Sequence, residues 1–317
     1  MSDAIDAVTG DDLVLHHYGS SPFAEKARLM LGLKGLAWHS VTVPMVLPKP
    51  DVVALTGGYR RTPFLQVGAD IFCDTALIAE LLEARRPSTS LFPAAIAGQA
   101  RALAQWADTE LFWTVLPYAM QPAGATALFA GAPPEMLKVF VADRKAMSEG
   151  MPQVRGSDAG AALTQYLEWL SSMLADGRPW LLGDAACIAD LSVYHPLWFL
   201  TRTGPLAEIL QPHEALRAWM GRVGAIGHGD KRGKLDGAGA IALAQASTPR
   251  ATTVEAGLGF EAGDAVTVTP YDYARDAVAG ELVGLSCRTV TLARDDDRAG
   301  RVHVHFPRIR YTLKKAG

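Results

Sequence analysis

Residues 13 to 36 read LVLHHYGSSPFAEKARLMLGLKGL and constrain the rest of the chain more than any other stretch. The apolar run Leu13-Val14-Leu15 has the length of a buried strand, and His16 to Ser21 form a polar turn. Phe23, Ala27, Met30 and Leu31 then recur at helical spacing. Ser21 before Pro22 is a helix start, because Ser accepts from the free amides of a first turn and Pro there lacks only an amide that has no partner anyway. The stretch is thus strand, tight loop and helix, with unpaired N–H groups gathered at Ser21. A helix N-terminus beside a hydroxyl suits an anion, a thiolate included. Alone, Ser-Pro is simply a cap; its chemical meaning depends on Thr62-Pro63 and Asp74-Thr75 further on.

Ala37 to Val43 reads as a second strand, and the prolines between 44 and 50 impose a loop. Phe64–Val67 and Ile71–Phe72 read as a hairpin around Gly68-Ala69-Asp70, and a helix opens at Asp74 or Thr75 and stops before Pro87. The order β-α-β, then β-β-α, is that of a thioredoxin-like α/β domain, with a parallel first pair of strands and an antiparallel second. From Ile96 the signal is helical: 97–116, 161–174, 190–200, 213–223 and 238–246, with GAIGHGDKRG as a glycine-rich loop. After Pro249, short alternating runs such as Val266-Thr267-Val268 and Val302 to Phe306 read as strands of a small all-β module, expected to pack on the helical part. The expected fold is a thioredoxin-like domain over 11–88, an all-α helical bundle over 96–248 and a β-module over 252–317.

A length of 317 residues accommodates these parts, and 49% hydrophobic residues, 20% charged residues and a net charge of −3 are ordinary for a globular protein. No charge excess points to nucleic acid or an anionic membrane, and no apolar run approaches a membrane span. The opening MSDAIDAVTG has neither the basic flank nor the apolar core of a signal peptide. Cys73, Cys187 and Cys287 lie far apart with no CxxC pair, which fits a reducing cytoplasm and no disulfide or zinc framework.

Three segments in order, SPFAEKARLML, RRTP and CDTALIAELLE, resemble the cytosolic glutathione transferase superfamily. The first resembles the helix start of Ser-type classes, closest to the tau-like pattern; omega-like members carry Cys where Ser21 stands. RRTPFLQV resembles the segment with a cis-proline, and Asp74-Thr75 the acidic-Ser pair opening the third helix. GDAACIADLSVYH is similar to the family's helix start in the second domain, with Cys187 in place of Ser or Thr. The chain after Pro249 lies outside the resemblance.

The resemblance implies glutathione as cosubstrate, no cofactor or metal, a small hydrophobic electrophile, and a homodimer. Ser21 would donate a hydrogen bond to the thiolate. Thr62, before a cis bond to Pro63, would pair its backbone with the cysteinyl unit. Asp74 would take the γ-glutamyl ammonium and Thr75 its carboxylate; Arg61 and Lys49 would meet the glycine carboxylate, and Phe23 would border the ligand. Asp, Thr and Arg61 stand where Glu, Ser and Lys are commoner. The alternative is a non-catalytic binding or scaffold protein on the same fold. Thiol-disulfide exchange is disfavoured, since Ser21 cannot form a mixed disulfide.

Other candidates have plainer readings. His16 and His17 point to opposite sides of a strand, so both cannot act at one site. His303 and His305 share a strand face but lack a third ligand nearby, which favours a packing role. Trp106, Phe112, Trp113 and Tyr118 offer either the lining of an acceptor pocket or, as is commoner at helical spacing, core; Cys73 reads as buried filler and Asp190 as a capping residue.

Overall fold

The computed structural model describes residues 8–316. The first domain runs β1 (Val14–His17), α1 (Pro22–Leu33), β2 (Ala37–Thr42), α2 (Pro50–Thr56), β3 (Phe64–Val67), β4 (Asp70–Cys73) and α3 (Thr75–Arg85). β1 is parallel to β2, with Val14 opposite His39, and antiparallel to β3; β3 and β4 form the hairpin. This is the thioredoxin-like arrangement the residue pattern implies.

The helical domain follows as α4 (Ala97–Trp106), α5 (Phe112–Ala119), α6 (Pro122–Leu128), α7 (Pro134–Met147), α8 (Gly156–Met173), α9 (Ile188–Leu200) and α10 (Glu214–Ala225). A π-helical turn at Ala107–Leu111 joins α4 to α5 without a break. α9 is apolar nearly all round and is buried at the centre of the bundle. Asp190 starts it: its carboxylate accepts from the amides of Leu181 (2.9 Å) and Cys187 (3.0 Å) and from Trp219 Nε1 (2.8 Å). The residue is fully buried and structural, as its position in the sequence predicts.

Two expectations need correction. GAIGHGDKRG is not all loop: β5 (Asp230–Leu235) pairs in parallel with β2, and α11 (Gly237–Gln245) packs on α2 and on a later strand instead of joining the bundle. The strand DKRGKL is largely exposed and carries no apolar alternation, so only its backbone pairing defines it. The chain reaches it by crossing α1 at Gly32, where any Cβ would lie 2.0 Å from the Gly227 carbonyl oxygen.

The second correction concerns the C-terminal module, β6 (Ala265–Pro270), β7 (Val278–Leu285), β8 (Thr289–Asp296), β9 (Gly300–Pro307) and β10 (Tyr311–Lys315). Its strands are antiparallel to one another as expected, but their main seat is the first domain. β9 pairs in parallel with β4, with Asp70 opposite His303 and Phe72 opposite His305. One ten-stranded sheet results, in the order β10-β6-β7-β8-β9-β4-β3-β1-β2-β5. One buried cluster accordingly combines Val14, Phe64 and Ile71 with Val266, Leu282 and Phe306. Alternation shows which side of a strand is buried but not what covers it, and β4 offers an open edge of unpaired backbone groups that β9 satisfies. His305 is part of this seam: Asp70 Oδ1 lies 2.8 Å from its Nε2, Thr291 Oγ1 lies 2.9 Å from its Nδ1, and its ring stacks on Phe72.

Candidate functional site

Ser21 is the N-cap of α1, buried, with its Oγ accepting from the Ala24 amide at 3.2 Å. Accepting this bond does not use the hydroxyl proton, and the Tyr18 hydroxyl is the polar group beside it. The Thr62–Pro63 bond is cis, just ahead of β3. Asp74 has φ 77° and caps α3 through its Oδ1, which accepts from the Ala76 amide at 2.9 Å. Thr75 is buried behind it and accepts from Lys26 Nζ at 3.3 Å.

Lys26 itself is held by Asp108, 2.5 Å away, and Asp108 also contacts His195 Nε2 at 3.1 Å. Asp108 lies in the π-helical turn, a device that often occurs at functional sites. Burial would raise its carboxyl, but the Lys26 ammonium and His195 outweigh that and hold it below the usual carboxylate range. Burial keeps His195 below the ordinary histidine value despite Asp108. Phe23 packs between Phe112 and His195, with ring centroids 4.8 and 4.5 Å away.

The two cations expected at the glycine end differ. Lys49 is buried and, among the described residues, its ammonium makes no hydrogen bond or ion pair. Burial, reinforced by the charge of Arg144, lowers its ammonium to about 8. Arg61 is already engaged: its guanidinium bonds Asp272 and the Tyr273 carbonyl, and Asp272 also takes Arg310 at 2.5 Å.

Ser21, Phe23, Lys49 and Arg61 line one cavity of about 1830 Å³ together with Thr62, Pro63, Asp74 and Thr75. The helical domain supplies an apolar wall that includes Phe112, Trp113, Leu116, Phe129 and Phe140. Phe112 and Trp113 therefore do more than fill the core, whereas Trp106 and Tyr118 pack against it. A third wall comes from the C-terminal module, through Asp272, Tyr273, Ile309 and Arg310. Tyr273 sets its ring 5.0 Å from that of Trp113, and its hydroxyl lies 3.4 Å from Arg144. Tyr311 donates to Asp74 Oδ2 at 3.0 Å, and Tyr59, which also lines the cavity, has its Oη 3.0 Å from Tyr311 Oη.

The residues missed by the sequence reading share one cause. Lys26 falls inside SPFAEKARLML, but its partner Asp108 is 82 positions away. Asp272 and Tyr311 meet their partners 211 and 237 positions away, across a sheet junction that no local pattern announces.

The family model for the glutathione S-transferase N-terminal domain matches residues 15–90, and that for the C-terminal domain matches 144–222. A GST-like protein from Pseudomonas syringae is 38% identical over 96% of this chain and 100% of that one, with a TM-score of 0.80. The chain belongs to the glutathione S-transferase superfamily. A glutathione S-transferase from Rhodospirillum rubrum F11 (22% identity, 67% of this chain and 87% of that one, TM-score 0.50) shares the fold. So does the β-etherase LigF from Sphingobium sp. strain SYK-6 (20% identity, 67% and 95%, TM-score 0.51). No curated protein matches the chain. The 4% of this glutathione S-transferase-like chain outside the Pseudomonas match is too short to contain β6 to β10, so that relative shares the module.

Proposed function

We propose that the protein binds glutathione in this cavity and adds its thiolate to a small hydrophobic electrophile held against the wall of Phe112, Trp113 and Phe140. The observation that carries the reading is Ser21, a buried hydroxyl at a helix N-terminus with the Tyr18 hydroxyl beside it, on the same cavity as the Asp74-Thr75 helix start.

The magnitudes are adequate. A free thiol with a pKa of about 8.5 is only a few per cent ionised at neutral pH. Lowering it by two units requires about 2.7 kcal/mol of preference for the thiolate. A hydrogen bond to a charged group contributes roughly 1.5–3 kcal/mol, and a helix N-terminus up to about 2. Ser21 and α1 together therefore suffice without a general base, and Ser21 acts as donor, not nucleophile. Lys49 is the cation available to the glycine carboxylate, since Arg61 is held by Asp272. The chemistry calls for no cofactor beyond glutathione itself.

The prior engagement of Arg61 takes one cation from the glycine end and so weighs towards the alternative, a non-catalytic binding or scaffold role on the same fold. Calorimetric titration of the full chain with glutathione, followed by assay with a model aromatic halide, separates the readings. Binding with product formation is the expected result; binding without product leaves the scaffold role, and absence of binding removes the glutathione reading. By its family the protein is also proposed to act as a cytoplasmic homodimer. A monomer in sedimentation at micromolar concentration would count against that.

A further inference from the structure

We infer that the C-terminal module is a working part of the glutathione site, with Tyr311 the residue that positions the Asp74 carboxylate for the γ-glutamyl ammonium. The inference rests on the glutathione reading above and adds to it a residue from a part of the chain that neither family domain covers.

Tyr311 lies at the start of β10, the strand at the far end of the ten-stranded sheet, and is buried. A phenol has one proton, and a carboxylate only accepts, so at 3.0 Å Tyr311 must be the donor to Asp74 Oδ2. Its proton being used there, the 3.0 Å contact with Tyr59 must have Tyr59 as donor. The result is a directed relay, Tyr59 to Tyr311 to Asp74. Burial, with the Asp74 charge adding to it, raises the Tyr311 hydroxyl well above the usual tyrosine value and keeps it a donor at any working pH.

Asp74 is thus gripped at both oxygens, by the Ala76 amide on Oδ1 and by Tyr311 on Oδ2. A carboxylate has about four acceptor positions, so two remain for a ligand ammonium. A carboxylate already fixed in direction loses little freedom when the ligand arrives, and a short Asp side chain has less reach with which to find its partner unaided. The same ring lies 5.8 Å below the Arg61 guanidinium carbon, which the module also holds through Asp272. Two module residues therefore set two side chains of the site.

The test uses the full chain, glutathione, and the analogue in which the γ-glutamyl amine is replaced by hydrogen. Wild type should bind glutathione at least tenfold more tightly than the analogue. Tyr311→Phe keeps the ring against Phe306 and removes only the hydroxyl. It should bind the analogue as wild type does but lose most of the preference, to within about threefold. Tyr59→Phe, which leaves the Tyr311–Asp74 bond in place, should keep most of it. A purely structural role would lower both affinities together. Retention of the full preference by Tyr311→Phe would overturn the inference while leaving glutathione binding intact. Wild type binding both ligands equally would also overturn it, and wild type binding neither would remove the glutathione reading itself. Should Tyr311→Phe fail to fold, amide exchange on wild type decides. Coupling is reciprocal, so glutathione but not the analogue should slow exchange in Tyr311–Lys315, and equal effects of the two would contradict the proposal.

Discussion

Lys49 places an ammonium where burial disfavours it, at about 8, with no partner among the described residues. A carboxylate bound beside it restores the charged form, so binding takes up a proton once the free site has lost one. Affinity for S-methylglutathione should then be highest below pH 8 and fall as pH rises through it; Lys49→Met should bind about tenfold more weakly at neutral pH and lose that part of the slope. Equal slopes in calorimetric titrations of the two proteins would exclude Lys49 from the site. His16 and His17 give a second pH effect, on stability. Burial holds them at about 4 and about 3, and the like charge of Arg28 adds to the lowering at His17. Both folded values lie below the unfolded one, so the unfolded chain binds more protons: the contribution is complete above pH 6.5 and is lost as pH falls towards 4. At about 1.36 kcal/mol per unit, the loss from His16 alone is on the order of a few kcal/mol. Melting curves should show Tm falling across that window, with His16→Asn flattening the fall; a Tm indifferent to pH there would contradict the burial argument. That one of this pair faces each side of β1 was legible from strand alternation, but their partners Gln66 and Ser40 were not.

At the scale of elements, the helix starts carried most of the legible information, because caps are local chemistry. Ser21-Pro22 and Asp74-Thr75 open α1 and α3 where the residues say they should, and Asp190 closes the capping box of α9. Asp190→Ala leaves the Leu181 and Cys187 amides and the Trp219 indole N–H buried without an acceptor. At roughly 1–3 kcal/mol for each buried group left unpaired, the variant should lose about 3 kcal/mol or more in urea unfolding. A loss under 1 kcal/mol would mean the three donors find other partners. The π-helical turn at Ala107–Leu111 was not legible: the buried positions Ala100, Ala104, Ala107, Leu111 and Val115 run through it at ordinary helical spacing, and nothing local marks that it carries Asp108, the partner of Lys26. β5 was hidden for the opposite reason, being a strand with almost no buried side chain.

The molecule as a whole is organised by one sheet that begins in the thioredoxin-like domain and is extended at both ends by later parts of the chain. The thioredoxin-like domain was readable from three motifs in order and the helical domain from its periodicity and the GDAACIADLSVYH helix start, but the docking of the module was not. It depends on an unpaired edge of β4, and an edge is a property of the assembled sheet, not of any residue in it. Removing residues 250–317 would reopen that edge and uncover Phe64, Ile71 and their neighbours. The truncated chain should therefore aggregate on expression, whereas a soluble monodisperse product in size-exclusion chromatography would show the module to be dispensable. The module's residues on Asp74 and Arg61 make the same point from the side of function: the site is built from all three parts of the chain.

The central claim, a glutathione thiolate held by Ser21, is tested most directly by titrating the thiolate absorbance of bound glutathione, at about 240 nm, in wild type and Ser21→Ala. Wild type should show an apparent thiol pKa about two units below that of free glutathione. Ser21→Ala, which removes the donor and leaves α1 in place, should bind glutathione with that pKa raised by about one to two units, and conjugate an aromatic halide roughly ten- to a hundredfold more slowly at about pH 6.5. Identical titration curves for the two proteins would reduce Ser21 to a helix cap and contradict the account.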